Sequence, residues 1–247
     1  MFLLFRGFDQ VLLETPNFVE AFIAVSMKAA IIALIIGLVI GVVLGVGATS
    51  ESKILRAISR IYVELLQNTP ILILLFFLYV FSPYVVPGGV DAFTVGSVVL
   101  GIYHGAYISE IVRSGIQAVA KGQEEAAKSQ GFTKLQTMCY IILPQAVRII
   151  IPPITTQVVG IIKNTSILQV IAVGDLMYQA QIWTSYSGFS GPAFILAAMI
   201  YFAVCYPLTL LSRHLEKKFA KGYVRKAKKA TQRKEKAKVG GKVYGNH

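Results

Sequence analysis

A charge-free apolar segment over residues 29–50 constrains the fold more than any other feature of the chain. About 20 apolar residues, at a rise of 1.5 Å each, form a helix that crosses the roughly 30 Å hydrocarbon core of a bilayer. The spans predicted in this way cover residues 29–50, 62–86, 92–112, 138–162 and 193–212. Because only 15% of the residues are charged and 55% are hydrophobic, a soluble globular domain is a poor fit. The sequence predicts an all-α integral membrane protein with five transmembrane helices.

Positive charge is unevenly distributed among the loops that join these spans. It is concentrated after the first span and between the third and fourth, at Lys53, Arg56, Arg60, Arg113, Lys121, Lys128 and Lys134. Short loops rich in Lys and Arg stay in the cytoplasm, so we predict an outside N-terminus and a cytoplasmic C-terminus. Residues 1–25 lack the basic start and short apolar run of a cleavable signal peptide, and are expected to lead into a retained membrane anchor.

The net charge of +12 belongs almost entirely to the C-terminal tail. From Arg213 onward the chain has 13 of its 24 Lys and Arg residues and only two acidic residues. A terminal run of this kind is predicted to be solvated, poorly ordered and close to anionic membrane lipid, so the charge does not indicate a nucleic-acid partner. We therefore divide the chain into a transmembrane domain over residues 1–218 and a basic cytoplasmic tail over residues 219–247.

The longest polar interruption between spans runs over residues 113–136, and good helix formers followed by a glycine occupy its centre. This pattern predicts a short surface helix that ends at Gly131. Ala126, Ala127 and Gln130 fall close together on its helical wheel and form a small, smooth face suited to a cleft on another protein. On the helical pattern alone, an ordinary amphipathic connector explains the segment equally well.

The spacing around this helix resembles the EAA loop of the permease subunits of bacterial ABC importers. Glu125-Ala126-Ala127 is followed after three residues by Gly131 and, nine residues later, by Ile141 with Leu143-Pro144. Other segments resemble the polar amino acid branch of that family: Tyr62-Val63-Glu64-Leu65, Asn68-Thr69-Pro70, Leu143-Pro144-Gln145-Ala146, Lys163-Asn164-Thr165-Ser166 and Leu215-Glu216. The resemblance covers residues 18–218.

The resemblance implies a five-helix permease that imports polar amino acids across the plasma or inner membrane. Its implied partners are a second permease chain, identical or related, two cytoplasmic ATP-binding subunits and an extracellular substrate-binding protein. The EAA loop would be the coupling helix that docks on the ATPase, with the coupling residues Glu124, Glu125, Ala126, Ala127 and Gly131. ATP and Mg²⁺ would be bound by the partner, so no cofactor and no enzymatic activity are expected of this chain. In agreement, the sequence has no G-x-x-x-x-G-K-[ST] phosphate loop.

Polar side chains inside apolar spans are candidates for a substrate path, because burying them in lipid is costly. Two groups stand out, Glu64 to Thr69 and Gln157 to Ser166, and the residues predicted to line the path are Gln67, Asn68, Thr69, Lys163, Asn164, Thr165 and Ser166. Helix capping and an interfacial position for Lys163 are the alternative roles. An acid at the position of Asn164 in related permeases would suit a cationic amino acid, so the amide here favours glutamine or glutamate.

Several other residues receive structural interpretations. Gly37, Gly41 and Gly45 line one helix face and predict close packing against a helix of the same or another protomer. His104 is interpreted as polar packing, and Glu110 as an ion pair with Arg113 rather than a catalytic group. Cys139 and Cys205 lie in apolar surroundings and lack the spacing of a metal site, so both are predicted to be buried packing residues.

Two hypotheses of other classes compete with the ABC permease. The first is a self-sufficient secondary transporter or channel, and the second is a membrane scaffold with a lipid-binding tail. Secondary transporters often contain inverted repeats and intramembrane charge pairs, and neither is evident in the sequence. Both alternatives differ from the permease in requiring no ATPase.

Overall fold

The computed structural model describes residues 7–243, with side chains for residues 7–219, and every regular element in this part is helical. The α-helices are α1 Phe8–Leu13, α2 Thr15–Ala21, α3 Lys28–Gly47, α4 Lys53–Gln67, α5 Ile71–Val85, α6 Ala92–Gln117, α7 Lys121–Ser129, α8 Lys134–Gln136, α9 Leu143–Asn164, α10 Leu176–Ser187 and α11 Ser190–Val243. Wider π-helical turns at Phe22–Met27 and Thr137–Ile142 lead into α3 and α9, and a 3-10 segment follows α9 at Thr165–Ile171.

Four continuous helical stretches among the described residues are long and apolar enough to cross a membrane. They are Thr15–Gly47, Ala92–Gln117, Lys134–Ile171 and Ser190–Phe219, and they contain the predicted third, fourth and fifth spans and most of the first, whose predicted end at residue 50 lies beyond Gly47. The bent pair formed by α4 and α5 would bring the number to five if it makes one crossing. Hydropathy therefore located the apolar helices, while their lengths exceed the predicted limits.

The second predicted span, residues 62–86, is not the single helix that was expected. α4 and α5 meet at an angle of 102°. Pro70 lacks an amide hydrogen and disfavours helical backbone at the residue before it, so the helix stops there. The side chains of Asn68 and Thr69 donate hydrogen bonds to the carbonyls of Glu64 and Leu65, at 2.7 and 2.8 Å, and satisfy the end of α4.

The predicted glycine face of α3 is confirmed, and its partner is α6 of the same chain. Gly37, Gly41 and Gly45 are all buried in this contact. A Cβ added at Gly41 would lie 2.5 Å from Ile108 Cγ2, and one at Gly45 would lie 2.6 Å from Val112 Cβ. The two helices therefore approach as closely as their backbones permit, and no larger residue fits between them.

Helix α6 is the central element because it contributes to two separate buried clusters. One half packs into a large cluster that includes Val99, Leu100, Phe18, Leu168 and Trp183. The other half packs into a smaller cluster of Ile108, Val112, Ile116, Val119, Ile142, Ala146 and Ile150. Side chains carried by α6 are consequently held in place from several directions.

The C-terminal helix α11 continues to Val243, beyond its apolar part. The prediction that residues 219–247 form a separate, poorly ordered basic tail stays a prediction. Its last four residues lie outside the described part of the chain.

Asp175 is a fully buried acid at the start of α10 that the sequence analysis did not single out. Its carboxylate accepts hydrogen bonds from the backbone amides of Met177 and Tyr178, at 3.1 and 3.2 Å, and so caps the helix. Burial raises the pKa of Asp175 from 3.8 to about 6, although the two amide donors oppose this rise. Because the folded protein holds this proton more tightly than the unfolded chain, the stabilisation present at low pH is lost as the pH rises from about 4 to about 6.

The Asp175→Asn variant keeps a capping side chain and removes the buried charge. We expect its thermal unfolding temperature to match the wild type near pH 4 and to exceed it above about pH 6. Thermal denaturation of the purified protein in detergent across this range measures the difference. Asp175→Ala, which loses the cap, should be less stable by about 1 kcal/mol than the Asn variant at every pH. A wild type that gains stability relative to Asp175→Asn on raising the pH would contradict this assignment.

Candidate coupling surface and substrate path

Helix α7 ends at Gly131 through a motif that requires a left-handed residue. Gly131 has φ +82°, and its amide donates to the carbonyl of Lys128 at 3.0 Å. The amide of Phe132 donates to the carbonyl of Ala127 at 3.1 Å. These two bonds form a Schellman motif, in which glycine avoids the steric cost that a Cβ brings at positive φ. The predicted helix and its end are confirmed, and Gly131 fixes the direction in which the chain leaves.

The surface of α7 is mostly charged and accessible. Glu124, Glu125, Ala126 and Lys128 are exposed, and Glu124 pairs with Lys128 at 2.7 Å. Ala127 is instead only 4% exposed. Of the smooth face that the sequence predicted, Ala126 and Gln130 are therefore accessible, whereas Ala127 packs inward and attaches α7 to the rest of the chain.

Several contacts fasten the α7 segment to the helical body. Gln145 of α9 donates to the side-chain carbonyl of Gln123 at 3.2 Å. Lys134 Nζ lies 2.5 Å from a carboxylate oxygen of Glu51, in the loop between α3 and α4, and this pairing lowers the pKa of Glu51. The chain then continues through the π-helical turn Thr137–Ile142 directly into α9. A displacement of α7 would therefore be transmitted to both α9 and the end of α3.

His104 of α6 forms the centre of a buried polar cluster with two amides of α9. Its Nδ1 lies 3.0 Å from Gln157 Oε1, and its Nε2 lies 3.1 Å from Asn164 Nδ2. These partners assign a neutral ring that donates from Nδ1 to the Gln157 carbonyl and accepts at Nε2 from the Asn164 amide. Gly160 lies one turn from both amides, and a Cβ there would approach the ring to 3.5 Å. The interpretation of His104 as polar packing is confirmed.

A polar stripe beside this cluster was missed by the sequence analysis. Tyr103, Tyr107, Glu110 and Ser114 recur at the spacing of one helix face, and all four are partly or fully exposed. The hydroxyls of Tyr103 and Tyr107 are 3.0 Å apart. The predicted ion pair of Glu110 with Arg113 is also present on this side of α6. The spacing of these four residues is visible in the sequence. Tyrosine, however, counts as an apolar residue when a span is recognised by its hydrophobic content, so the polar stripe was overlooked.

The four consecutive residues Lys163 to Ser166 do not meet at one place. Only Asn164 enters the His104 cluster, while Lys163 is exposed. Thr165 is fully buried, donates to the carbonyl of Ile162 at 2.7 Å and lies 3.1 Å from the Tyr201 hydroxyl. The Ser166 hydroxyl donates to the carbonyl of Lys163 at 2.8 Å. Successive helical residues point about 100° apart, which explains this separation.

The other predicted group lies on the opposite side of α6. Gln67 Nε2 is 3.5 Å from the carbonyl of Ala106, so this side chain does reach the central helix. Asn68 and Thr69 bond back to the end of α4, as described above, which accounts for their polarity through capping. The structure thus brings Gln67 and Asn164 to the same turn of α6 and leaves Asn68 and Thr69 at the break between α4 and α5.

Metal-ligating side chains are dispersed. In the part of the chain whose side chains are described, no group of three or more His, Cys, Asp or Glu residues is arranged to hold a metal ion. The prediction that both cysteines are buried is confirmed for Cys205 and wrong for Cys139, which is exposed.

Comparison with known proteins identifies a consistent set of relatives. The family described as "Binding-protein-dependent transport system inner membrane component" matches residues 37–221. A "Probable glutamine ABC transporter permease protein GlnM" of Bacillus subtilis is 44% identical over 164 residues, which are 66% of this chain and 74% of the relative. A "Probable glutamine ABC transporter permease protein GlnP" of the same organism is 38% identical over 168 residues, which are 66% and 76% of the two chains. The crystal structure of an amino acid ABC transporter with histidines superposes with a TM-score of 0.78 at 32% identity and covers 85% of this chain and 98% of its own.

Proposed function

Because the chain belongs to the family of binding-protein-dependent transport system inner membrane components, we propose that it is the permease of an ATP-driven importer of a glutamine-like amino acid. It is a multi-pass protein of the cell membrane. The observation that carries the proposal is α7, a short accessible helix fixed to the ends of three long helices. We further infer that the bent pair adds a fifth crossing, made by α5 with α4 at its cytoplasmic end, and that the N-terminus lies outside and the C-terminus in the cytoplasm.

Energy would enter at α7 from two ATP-binding subunits, which also hold ATP and Mg²⁺. Glu124, Glu125 and Ala126 are exposed and available to such a partner. Ala127 and Gly131 act differently, because Ala127 packs α7 against its own chain and Gly131 sets the exit direction. The coupling residues would therefore comprise a contacting set and an anchoring set, and a rigid-body movement of α7 would move the attached spans.

The substrate would pass along the polar stripe of α6 and the neighbouring His104 cluster. Partly exposed hydroxyl and carboxylate groups in a membrane span are costly against lipid, so they favour an aqueous or protein-lined environment. A second permease chain placed against this side would enclose the stripe between two subunits. An extracellular binding protein would deliver the amino acid to the outer end, where the exposed Lys163 suits a carboxylate.

The chemistry of the His104 cluster disfavours a cationic side chain on the substrate. Gln157 and Asn164 provide amides, and the neutral His104 ring is already satisfied by both. None of these three groups provides the fixed negative charge that a cationic amino acid would need. The names of the two Bacillus subtilis relatives, both glutamine permeases, agree with this preference.

Stimulation of ATP hydrolysis in proteoliposomes tests the proposal and its specificity together. The chain is reconstituted with its ATP-binding subunits and binding protein, and each amino acid is supplied in turn. We expect glutamine or glutamate to stimulate ATP hydrolysis and arginine to have little effect. In Asn164→Asp the ratio of arginine to glutamine stimulation should rise on the order of tenfold, as one new charge-assisted contact permits.

Ser166→Asp provides the matched control for this substitution. It places the same charge half a turn further on, where the serine hydroxyl donates to the backbone carbonyl of Lys163. We expect its amino acid preference to stay unchanged. Arginine stimulation of the wild type without a glutamine or glutamate response would overturn the preference. Undiminished uptake without any ATP-binding subunit would instead identify a self-sufficient secondary transporter or channel.

A further inference from the structure

Helix α4 has three chemically distinct sides. The first packs against the body through Ser59 and Leu66, which are 2% and 4% exposed. Ser59 donates to the carbonyl of Leu44 in α3 at 2.9 Å, and the Tyr62 hydroxyl donates to the carbonyl of Ile102 in α6 at 2.6 Å. The helix is therefore held firmly against two long helices by this side.

The second side is an exposed apolar row. Ile54, Ile58, Ile61 and Leu65 are 72%, 52%, 66% and 64% exposed and recur at intervals of four, three and four residues. Residues at this spacing lie along one face of a helix. A continuous row of four large aliphatic side chains needs an apolar environment that the chain itself does not provide.

The third side is charged and occupies a face of α4 separate from the apolar row. Lys53 and Arg60 are seven residues apart and share a face, and Glu64 pairs with Arg60 at 2.7 Å. The side chain of Arg60 remains 79% exposed in this pair. Arg56 has a separate structural role, since its guanidinium donates to the backbone carbonyls of Ser50 and Glu51.

The bend between α4 and α5 gives these sides their orientation. If α5 crosses the membrane, the angle of 102° places α4 close to the membrane plane. An apolar row on one side and cations on the other match the layers of a bilayer surface, in which acyl chains lie beneath phosphates. We propose that α4 is an interfacial helix that binds anionic phospholipid, with the apolar row among the acyl chains and with Lys53 and Arg60 at the phosphates.

A second copy of the chain fits this surface less well. A two-fold symmetric contact through the apolar row would bring the same surface patch of both copies together, with its cationic edge. Lys53 and Arg60 of both chains would then lie at one interface, and like charges at an interface oppose association. Phosphate groups, in contrast, complement both cations. The inference uses the proposed membrane orientation but neither the substrate nor the ATP-binding partner.

Quenching by brominated lipid tests where the apolar row lies. Single cysteines at Ile58, Ile61 and, as the water-exposed control, Gln130 are introduced into the full chain after Cys139→Ser and Cys205→Ala, and labelled with bimane. In nanodiscs of brominated phosphatidylcholine we expect strong quenching at positions 58 and 61 and little at position 130. Absence of quenching at 58 and 61 would overturn the proposal, and so would a disulfide crosslink between position 61 of two unlabelled copies, which would identify a second chain as the occupant.

Replacing the brominated lipid with brominated phosphatidylglycerol tests the anionic preference. One cation near an anionic surface contributes roughly a fivefold change in affinity, so we expect phosphatidylglycerol to bind beside position 61 about fivefold more tightly or better. Lys53→Gln with Arg60→Gln should abolish this preference, whereas Glu64→Gln should increase it. Truncation after Lys218 should leave the preference for phosphatidylglycerol intact, which would show that the preference belongs to α4 and not to the basic tail. Equal quenching by the two lipids in the wild type would overturn the preference for anionic lipid.

Discussion

Replacing Gly41 with leucine is expected to prevent the chain from folding, and replacing it with alanine to destabilise the fold by about 1–3 kcal/mol. The reason is the contact between α3 and α6. The new Cβ would lie 2.5 Å from Ile108 Cγ2, 2.6 Å from Ile108 Cβ and 3.0 Å from the backbone nitrogen of Ser109. Ile108 is fully buried, so neither helix can move aside without opening both clusters that α6 supports.

The measurement is the yield of monodisperse protein in detergent and its thermal unfolding temperature. Gly47→Ala is the matched control, because it lies on the same helix and its nearest neighbours would be Ser59 Oγ at 3.3 Å and Leu55 Cβ at 4.0 Å. We expect this control to fold with nearly wild-type stability. A Gly41→Leu protein that unfolds at the wild-type temperature would show that α3 and α6 are not in this contact.

The second large effect is expected at Gly131, where any Cβ is strained by a positive φ. Alanine in a left-handed conformation costs roughly 1–2 kcal/mol, so the end of α7 would rearrange or remain strained. We expect uptake and substrate-stimulated ATP hydrolysis to fall by about tenfold in Gly131→Ala, which corresponds to about 1.4 kcal/mol of coupling. Gly131→Asp should also lose copurification with the ATP-binding subunit, because it adds a negative charge beside Glu124 and Glu125, whereas Gly131→Asn, which tolerates positive φ equally well but is uncharged, should retain most of it.

Gly122→Ala provides the control within the same helix. Gly122 is helical and exposed, and a Cβ there meets nothing within 4 Å. Alanine in a helix interior is favoured over glycine by up to 1 kcal/mol, roughly, so coupling should be unchanged or slightly improved. Equal losses of uptake and ATP hydrolysis in Gly122→Ala and Gly131→Ala would contradict a special role for the end of the helix. Wild-type uptake and ATP hydrolysis in Gly131→Ala would contradict the proposed role of the Schellman motif in coupling.

The parts of this fold that local rules govern could be predicted from the sequence. The charge-free run before Gly47 predicted a helix long enough to cross a membrane. The good helix formers before Gly131 predicted α7 and the residue at which it ends. The glycine spacing from Gly37 to Gly45 predicted a packed face, and the i,i+3 spacing of Glu110 and Arg113 predicted their ion pair. Each of these depends on residues within a few turns of one another.

The sequence predictions failed in two situations. In one, hydropathy averaged over a segment concealed a local break, and in the other, residues far apart in the sequence come into contact. Hydropathy over residues 62–86 stayed high across Pro70, so the break between α4 and α5 was overlooked. Tyr103 and Tyr107 counted as apolar although their hydroxyls form a polar stripe. The contact of His104 with Asn164 joins residues 60 positions apart, and no sequence period encodes it. That four consecutive residues point in different directions, as Lys163 to Ser166 do, follows from helical geometry and was foreseeable.

The ion pair between Lys134 and Glu51 has a mechanical consequence when it is combined with the glycine contact. Because α3 and α6 are interlocked along Gly37, Gly41 and Gly45, they behave as one stiff rod. The segment that contains α7 is attached to both helices at the same end, to α6 through the chain itself and to α3 through Glu51. A displacement of α7 by the proposed partner would therefore tilt both helices together, and the movement would be largest at their far end, where we propose that the substrate enters.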